Sequence, residues 1–143
     1  MRRCKPAALY SIIIKMNFVF LSPSFPANYY LFCANLKEEG ANVLGIGEAP
    51  LQDLRPELRG SLAWYYQVGD MHDYGQLAEA MRFFTGRFGK IDRIDSLNEY
   101  WLETEANLRT EFGIAGVQAA DVAEIRHKSL MKKLFARAEI PHA

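Results

Sequence analysis

Asn17–Gly47 reads NFVFLSPSFPANYYLFCANLKEEGANVLGIG, and the order of its parts decides the fold. Asn17–Leu21 is a short apolar run rich in β-forming residues, the pattern of a strand buried on both faces. Ser22-Pro23-Ser24-Phe25-Pro26 ends it, because proline cannot donate to a central ladder. From Ala27 to Glu39, the residues Tyr29, Phe32, Cys33 and Leu36 fall at helical spacing. Gly40 stands where the residue after a helix C-cap is expected. Asn42–Ile46 then gives a second strand, closed by Gly45-Ile46-Gly47. One strand–helix–strand unit is thereby defined.

The rhythm continues outward from this unit. Residues 48–62 read as a loop with at most a short helix starting near Pro56. Ala63–Val68 (AWYYQV) is a third strand. Asp73-x-x-Gln76 has the form of a capping box, and Leu77, Met81, Phe84 and Phe88 mark one face of the helix that follows. Ile91–Asp95 is a fourth, shorter strand. Tyr100–Phe112 reads as a helix with Trp101, Leu108 and Phe112 inward. Asp121-x-x-Glu124 can cap the next short helix. A last amphipathic helix carries Leu130, Met131, Leu134, Phe135 and Ala138. Strands alternating with helices at this spacing imply right-handed βαβ units. The expected fold is α/β and doubly wound (Rossmann-like). Its mainly parallel sheet should have about four to five strands with helices on both faces.

The 143 residues suit a single domain, and half of them are apolar. Seventeen basic residues balance seventeen acidic ones. Residues 1–15 hold four of the basic residues and none of the acidic ones, so the remainder carries −4. A mildly acidic domain argues against a nucleic-acid partner. No apolar stretch has the length of a membrane span. Arg2, Arg3 and Lys5, followed by the apolar run Ala7–Ile14, resemble a short targeting segment without a cleavage site. Met16 stands directly before the first strand. Residues 1–15 are therefore read as an N-terminal extension, 16–126 as the α/β domain, and 127–143 as a helix leading out of it. Cys4 and Cys33 make no disulfide framework. Cys33, among apolar and aromatic neighbours, is expected to be a buried free thiol, which points to a reducing, cytoplasmic setting.

In an open parallel sheet, ligands bind beyond the carboxyl ends of the strands. That rule selects Ser22–Asn28, Gly45–Pro50 and Asp95–Glu99. The first loop has no glycine, and Gly45-x-Gly47 follows the wrong strand, so a dinucleotide fingerprint and a phosphate-binding P-loop are both missing. The first loop does offer the Ser22 and Ser24 hydroxyls and the N–H groups of the next helix, which suit an anion or a carboxylate. A plain turn with an N-cap explains the same residues. Glu99 could take a substrate amine or merely begin a helix, and Asp95 and Asn98 read mainly as caps. Asp92 should lie on the other face or at the other end of its strand. His72, His127 and His142 match no metal-ligand spacing. No nucleophile elbow or Cys–His arrangement is present. Trp64, Tyr65 and Tyr66 read as core and strand-surface residues.

Three segments together resemble one family. Met16–Gly47 is similar to the opening of ATP-grasp proteins, and Ile91–Glu103 (IDRIDSLNEYWLE) to their fourth-strand region. His127-Lys128-Ser129, Met131-Lys132 and Ala138-Glu139-Ile140-Pro141 resemble the Asp-Lys … Met-Lys … Ala-Gly-Ile-Pro segment of biotin carboxylases and D-alanine ligases. The resemblance, to the superfamily that also holds carbamoyl-phosphate synthase, implies ATP-driven joining of a carboxylate to an amine or similar nucleophile through an acyl phosphate. It implies a domain that binds the small carboxylate or amine substrate near Ser22, Pro23, Ser24, Asn28 and Glu99. Lys128 would contact ATP phosphate, as a flexible ammonium can. The adenine pocket, the second phosphate-binding lysine and the magnesium ligands of the family belong to a further ATP-grasp domain or a partner chain. ATP and magnesium are thus implied for the whole ligase, and this fragment alone is expected to be inactive. Two positions depart from the family: His127 replaces Asp, and Glu139 replaces a glycine that ends the helix in a left-handed conformation. Loss of the further domain should leave Met131, Leu134 and Phe135 partly uncovered, which allows a homodimer. The alternative is a non-catalytic α/β binding or interaction module.

Overall fold

The computed structural model describes residues 15–141. The extension over residues 1–15 lies outside the described residues except for Lys15, as does Cys4. Four strands form one sheet: β1 (Asn17–Leu21), β2 (Asn42–Gly47), β3 (Trp64–Gln67) and β4 (Arg93–Asp95). All pair in parallel, in the order β3-β2-β1-β4. The chain thus steps from β1 to β3 in one direction and then returns to place β4 on the far side of β1.

Alternation along β1 explains the two cores. Val19 and Leu21 join Leu44, Ile46 and Ile94 on one face, where Leu77, Met81 and Phe84 of α3 (Tyr74–Phe88) and Leu108 of α4 (Leu102–Phe112) cover them. Phe20 joins Val43 on the opposite face. There it meets Cys33 of α1 (Tyr30–Glu38) and Leu58 of α2 (Pro56–Ser61). Cys33 is fully buried and free, and burial pushes its thiol up to about 12. Helices therefore lie on both faces, as the strand–helix rhythm requires.

Several local expectations change. The first helix begins at Tyr30, after a turn over residues 23–29. The fourth strand is Arg93–Asp95 only, and Glu99–Trp101 is a separate 3-10 turn before α4. Asp73 caps α3 by accepting from the Gln76 N–H, but Gln76, whose Nε2 donates to Asp73 Oδ2 at 3.0 Å, does not accept the Asp73 N–H in return. Its Oε1 accepts instead from Gly69 and Asp70, tying the end of β3 to the helix start. The cap of α5 (Ala119–Arg126) is Gln118, with Asp121 in third position completing the box. Asp121-x-x-Glu124 is therefore not the capping pair.

The last helix, α6 (Lys128–Arg137), packs against α5. Leu134 is exposed, while Met131 and Phe135 are half-buried. Glu139 adopts φ 56°, and Ile140 N–H donates to Phe135 O while Glu139 N–H donates to Ala136 O. This is a left-handed helix ending of the kind usually filled by glycine, held here by a residue with a Cβ. Among the described residues, no helix is long and apolar enough to cross a membrane.

Candidate functional site

The carboxyl ends of the four strands form one crest. Its first loop starts at Ser22, which sits at φ 51°, a left-handed conformation uncommon outside glycine. The Ser22 N–H donates to Ile46 O, and the Ser22 carbonyl accepts from Phe25. On β4's side, Leu97 also sits at φ 56°. Asp95 Oδ1 accepts its N–H at 2.7 Å, and Ser96 Oγ accepts the Asn98 N–H at 3.1 Å. Asn98 then caps the 3-10 turn by accepting from Tyr100. Two strained turns thus flank the point where strand order reverses. Tyr29 bridges them, its hydroxyl donating to Leu97 O at 2.8 Å.

This bridge separates the expected site residues. Pro23 and Ser24 line a groove of about 430 Å³ with Asp53–Leu58, on the α2 side of the first loop. Ser22 is half-buried at the loop's start, and Asn28 is exposed at its end. In the groove, the Arg55 guanidinium lies 3.8 Å from the centre of the Tyr30 ring and pairs with Glu57 at 3.1 Å. Glu99 lines a different cavity, beside β4. Lys128 is the first residue of α6, exposed and outside both cavities.

Glycines Gly45 and Gly47 have a packing role. A Cβ at Gly47 would stand 2.6 Å from the Tyr65 hydroxyl, and one at Gly45 would stand 3.1 Å from its ring. Tyr65 lies over β2 and donates to Ala49 O at 2.7 Å. The Gly-x-Gly serves this contact.

The cavity beside β4, about 520 Å³, goes beyond what the strand-end rule selects. It is lined by Phe18, Asp95, Leu97, Glu99, Leu102, Glu105 and Arg109, among others. Arg109 is buried at its floor. It donates to Ile94 O at 2.7 Å and Val117 O at 3.4 Å, and it pairs with Glu105 at 3.2 Å. The guanidinium thereby satisfies a carbonyl of the sheet's edge that a fifth strand would otherwise take. Gly116, at φ 130°, permits this, since a Cβ there would meet Arg109 Nε at 2.9 Å. Burial holds the Glu105 carboxyl above its usual range. Ser96 draws it down, Asp95 adds to the rise, and Arg109 again lowers it. A buried, perturbed carboxylate in a cleft marks a candidate site. The signal in the sequence is Glu105-x-x-x-Arg109, an i,i+4 pair that ordinarily belongs to a solvated helix face.

A third group crowns the crest. Ligand atoms of Glu48, Asp70 and His72 lie within 4.8 Å of one another, all exposed. Glu48 accepts from Met71 N–H, Asp70 accepts from His72 N–H, and His72 Nε2 is 2.7 Å from the Tyr100 hydroxyl. Sequence spacing could not find it, because the loops after β2 and β3 supply its members separately. Asp92, as expected, lies at the other end of β4, accepting from Asn17 N–H at 2.8 Å.

No protein-family model matches the chain, and no curated protein matches it by sequence. Among solved structures, it is similar to an L-amino acid ligase from Bacillus licheniformis. The match has a TM-score of 0.64 at 13% identity and covers 89% of this chain and 31% of that one. The chain therefore spans about a third of that ligase's length and shares its fold over that part.

Proposed function

We propose that the chain acts as the N-terminal substrate-binding domain of an ATP-dependent carboxylate–amine ligase of the ATP-grasp type. The observation that carries this is the fold shared with an L-amino acid ligase over 89% of the chain. The resemblance of residues 127–141 to the family's helix, with Glu139 in the glycine conformation, supports it independently. On this reading, Pro23 and Ser24 contribute to the carboxylate side of the substrate, within the groove that also holds Arg55. An arginine fork held over an aromatic ring is suited to a carboxylate. Its present partner, Glu57, is an exposed ion pair of small net worth and is readily displaced.

The nucleotide is a different matter. Lys128 offers one ammonium for a phosphate, and one exposed lysine does not make a nucleotide site. ATP and magnesium are therefore assigned to a further domain or a partner chain, and the part of this chain is to bind and orient the substrate. The test is an ADP-release assay on the protein from its native source, supplied with pooled L-amino acids. ADP release that requires the amino acids is expected. ATP turnover indifferent to them, or strong magnesium-dependent ATP binding by this chain alone, would contradict the proposal.

A further inference from the structure

The loops after β2 and β3 bring three side chains of metal-ligating type to one point of the crest. Glu48 follows Gly47, the last residue of β2, and Asp70 and His72 lie in the turn between β3 and α3. One ligand atom from each lies within 4.8 Å of the other two. His72 Nδ1 stands 3.1 Å from Asp70 Oδ1. Two ligands about 2.1 Å from a metal ion and at right angles stand about 3.0 Å apart, so this pair already has the spacing of a coordination edge. Glu48 is drawn to the same turn by the Met71 N–H, which donates to its Oε1 at 2.6 Å. The imidazole is oriented from outside the group. Its Nε2 is 2.7 Å from the Tyr100 hydroxyl, and its ring packs on Tyr100 and Trp101, with centroids 5.9 and 5.3 Å away. Among the described residues, no lysine or arginine forms an ion pair with Glu48 or Asp70.

Two neighbouring carboxylates repel one another. A protonated imidazole offsets one of them, whereas a dication offsets both. The imidazole selects among dications, because magnesium and calcium take oxygen ligands and first-row transition ions accept nitrogen as well. A metal on Nδ1 places the ring proton on Nε2, where the Tyr100 hydroxyl can accept it and hold the ring in line. We infer that Glu48, Asp70 and His72 bind a divalent first-row transition ion, with Tyr100 as the positioning residue for His72. All three ligands are exposed, so the ion keeps coordination positions open above the crest. The inference does not rest on the ligase reading, and this ion is distinct from the magnesium assigned above to a further domain or a partner chain.

The test is titration of the isotope-labelled full chain with Mn2+ alone, read as paramagnetic broadening of the backbone amides. Broadening should centre on Glu48, Asp70, Met71 and His72 and should saturate. Added Zn2+ should reverse it by displacement, and Mg2+ at the same concentration should not. His72→Ala should weaken the ion about 100-fold and Tyr100→Phe about tenfold. Both residues are exposed, so amides elsewhere should keep their positions in the variants. Broadening that never saturates, that centres on other residues, or that His72→Ala leaves unchanged would overturn the inference. So would Mg2+ reversing it as well as Zn2+. Unchanged affinity in Tyr100→Phe would overturn the positioning role of Tyr100.

Discussion

β1 and β4 lie side by side, yet different forces hold them. β1 is central. Val19, Phe20 and Leu21 are fully buried, and neighbours pair with it on both sides. β4 is three residues long and forms an edge; only Ile94 is deeply buried, between exposed Arg93 and half-buried Asp95. Apolar burial on two faces fixes β1, whereas a buried guanidinium finishes β4. The difference teaches that an α/β sheet can end on a polar plug where another strand would add apolar area. Such a plug leaves room for a cavity along the edge.

The contrast between centre and edge is broken most severely at Arg109. Arg109→Ala leaves Glu105 buried without its counter-ion and Ile94 O without its donor, and should cost about 3–5 kcal/mol by chemical denaturation. The paired change Glu105→Leu with Arg109→Met should recover most of that loss, because it removes both buried charges. A cost below about 1 kcal/mol for Arg109→Ala would mean the edge needs no plug. Gly116→Ala comes next. A Cβ at φ 130° and 2.9 Å from Nε must strain the backbone or move Arg109, for about 1–3 kcal/mol.

The centre of the molecule is legible in the sequence because its physics is one-dimensional. NFVFL and NVLGI are strands buried on both faces, and buried strands announce themselves as apolar runs. Asn17–Leu21 is therefore read to the residue. The crossover helices follow from period and caps. The edge is not legible, since Glu105 and Arg109 at helical spacing look like a surface pair until tertiary structure buries them. The crest is half legible. The strand-end rule selects loops that do lie together on the crest, but the Tyr29–Leu97 bridge divides Ser24 from Glu99, and no local pattern encodes that bridge. The left-handed turn at Glu139 is expected from the resemblance of residues 127–141 and from no local pattern. Glu139→Gly should therefore gain about 1 kcal/mol in the stability of α6, measured by its amide exchange.

The smallest effect is one of slope. Glu105 has a folded-state pKa above the usual carboxylate value, so the folded protein holds this proton more tightly than the unfolded chain. Its contribution favours folding at low pH and is lost as pH rises from the ordinary value through the raised one. Glu105→Gln removes that dependence. Stability differences between wild type and Glu105→Gln, taken from about pH 4 to about pH 8, should shift in favour of the variant as pH rises. A difference that does not vary with pH would mean Glu105 titrates normally.

The central claim is that this fold serves a larger ligase, and the most direct test is the intact mass of the protein from its native source. The expected mass is well above 16.3 kDa, with the α/β domain continuous with a nucleotide-binding region. A mass at or below 16.3 kDa would contradict a continuous ligase chain and leave either a ligase split over two chains or the binding-module reading.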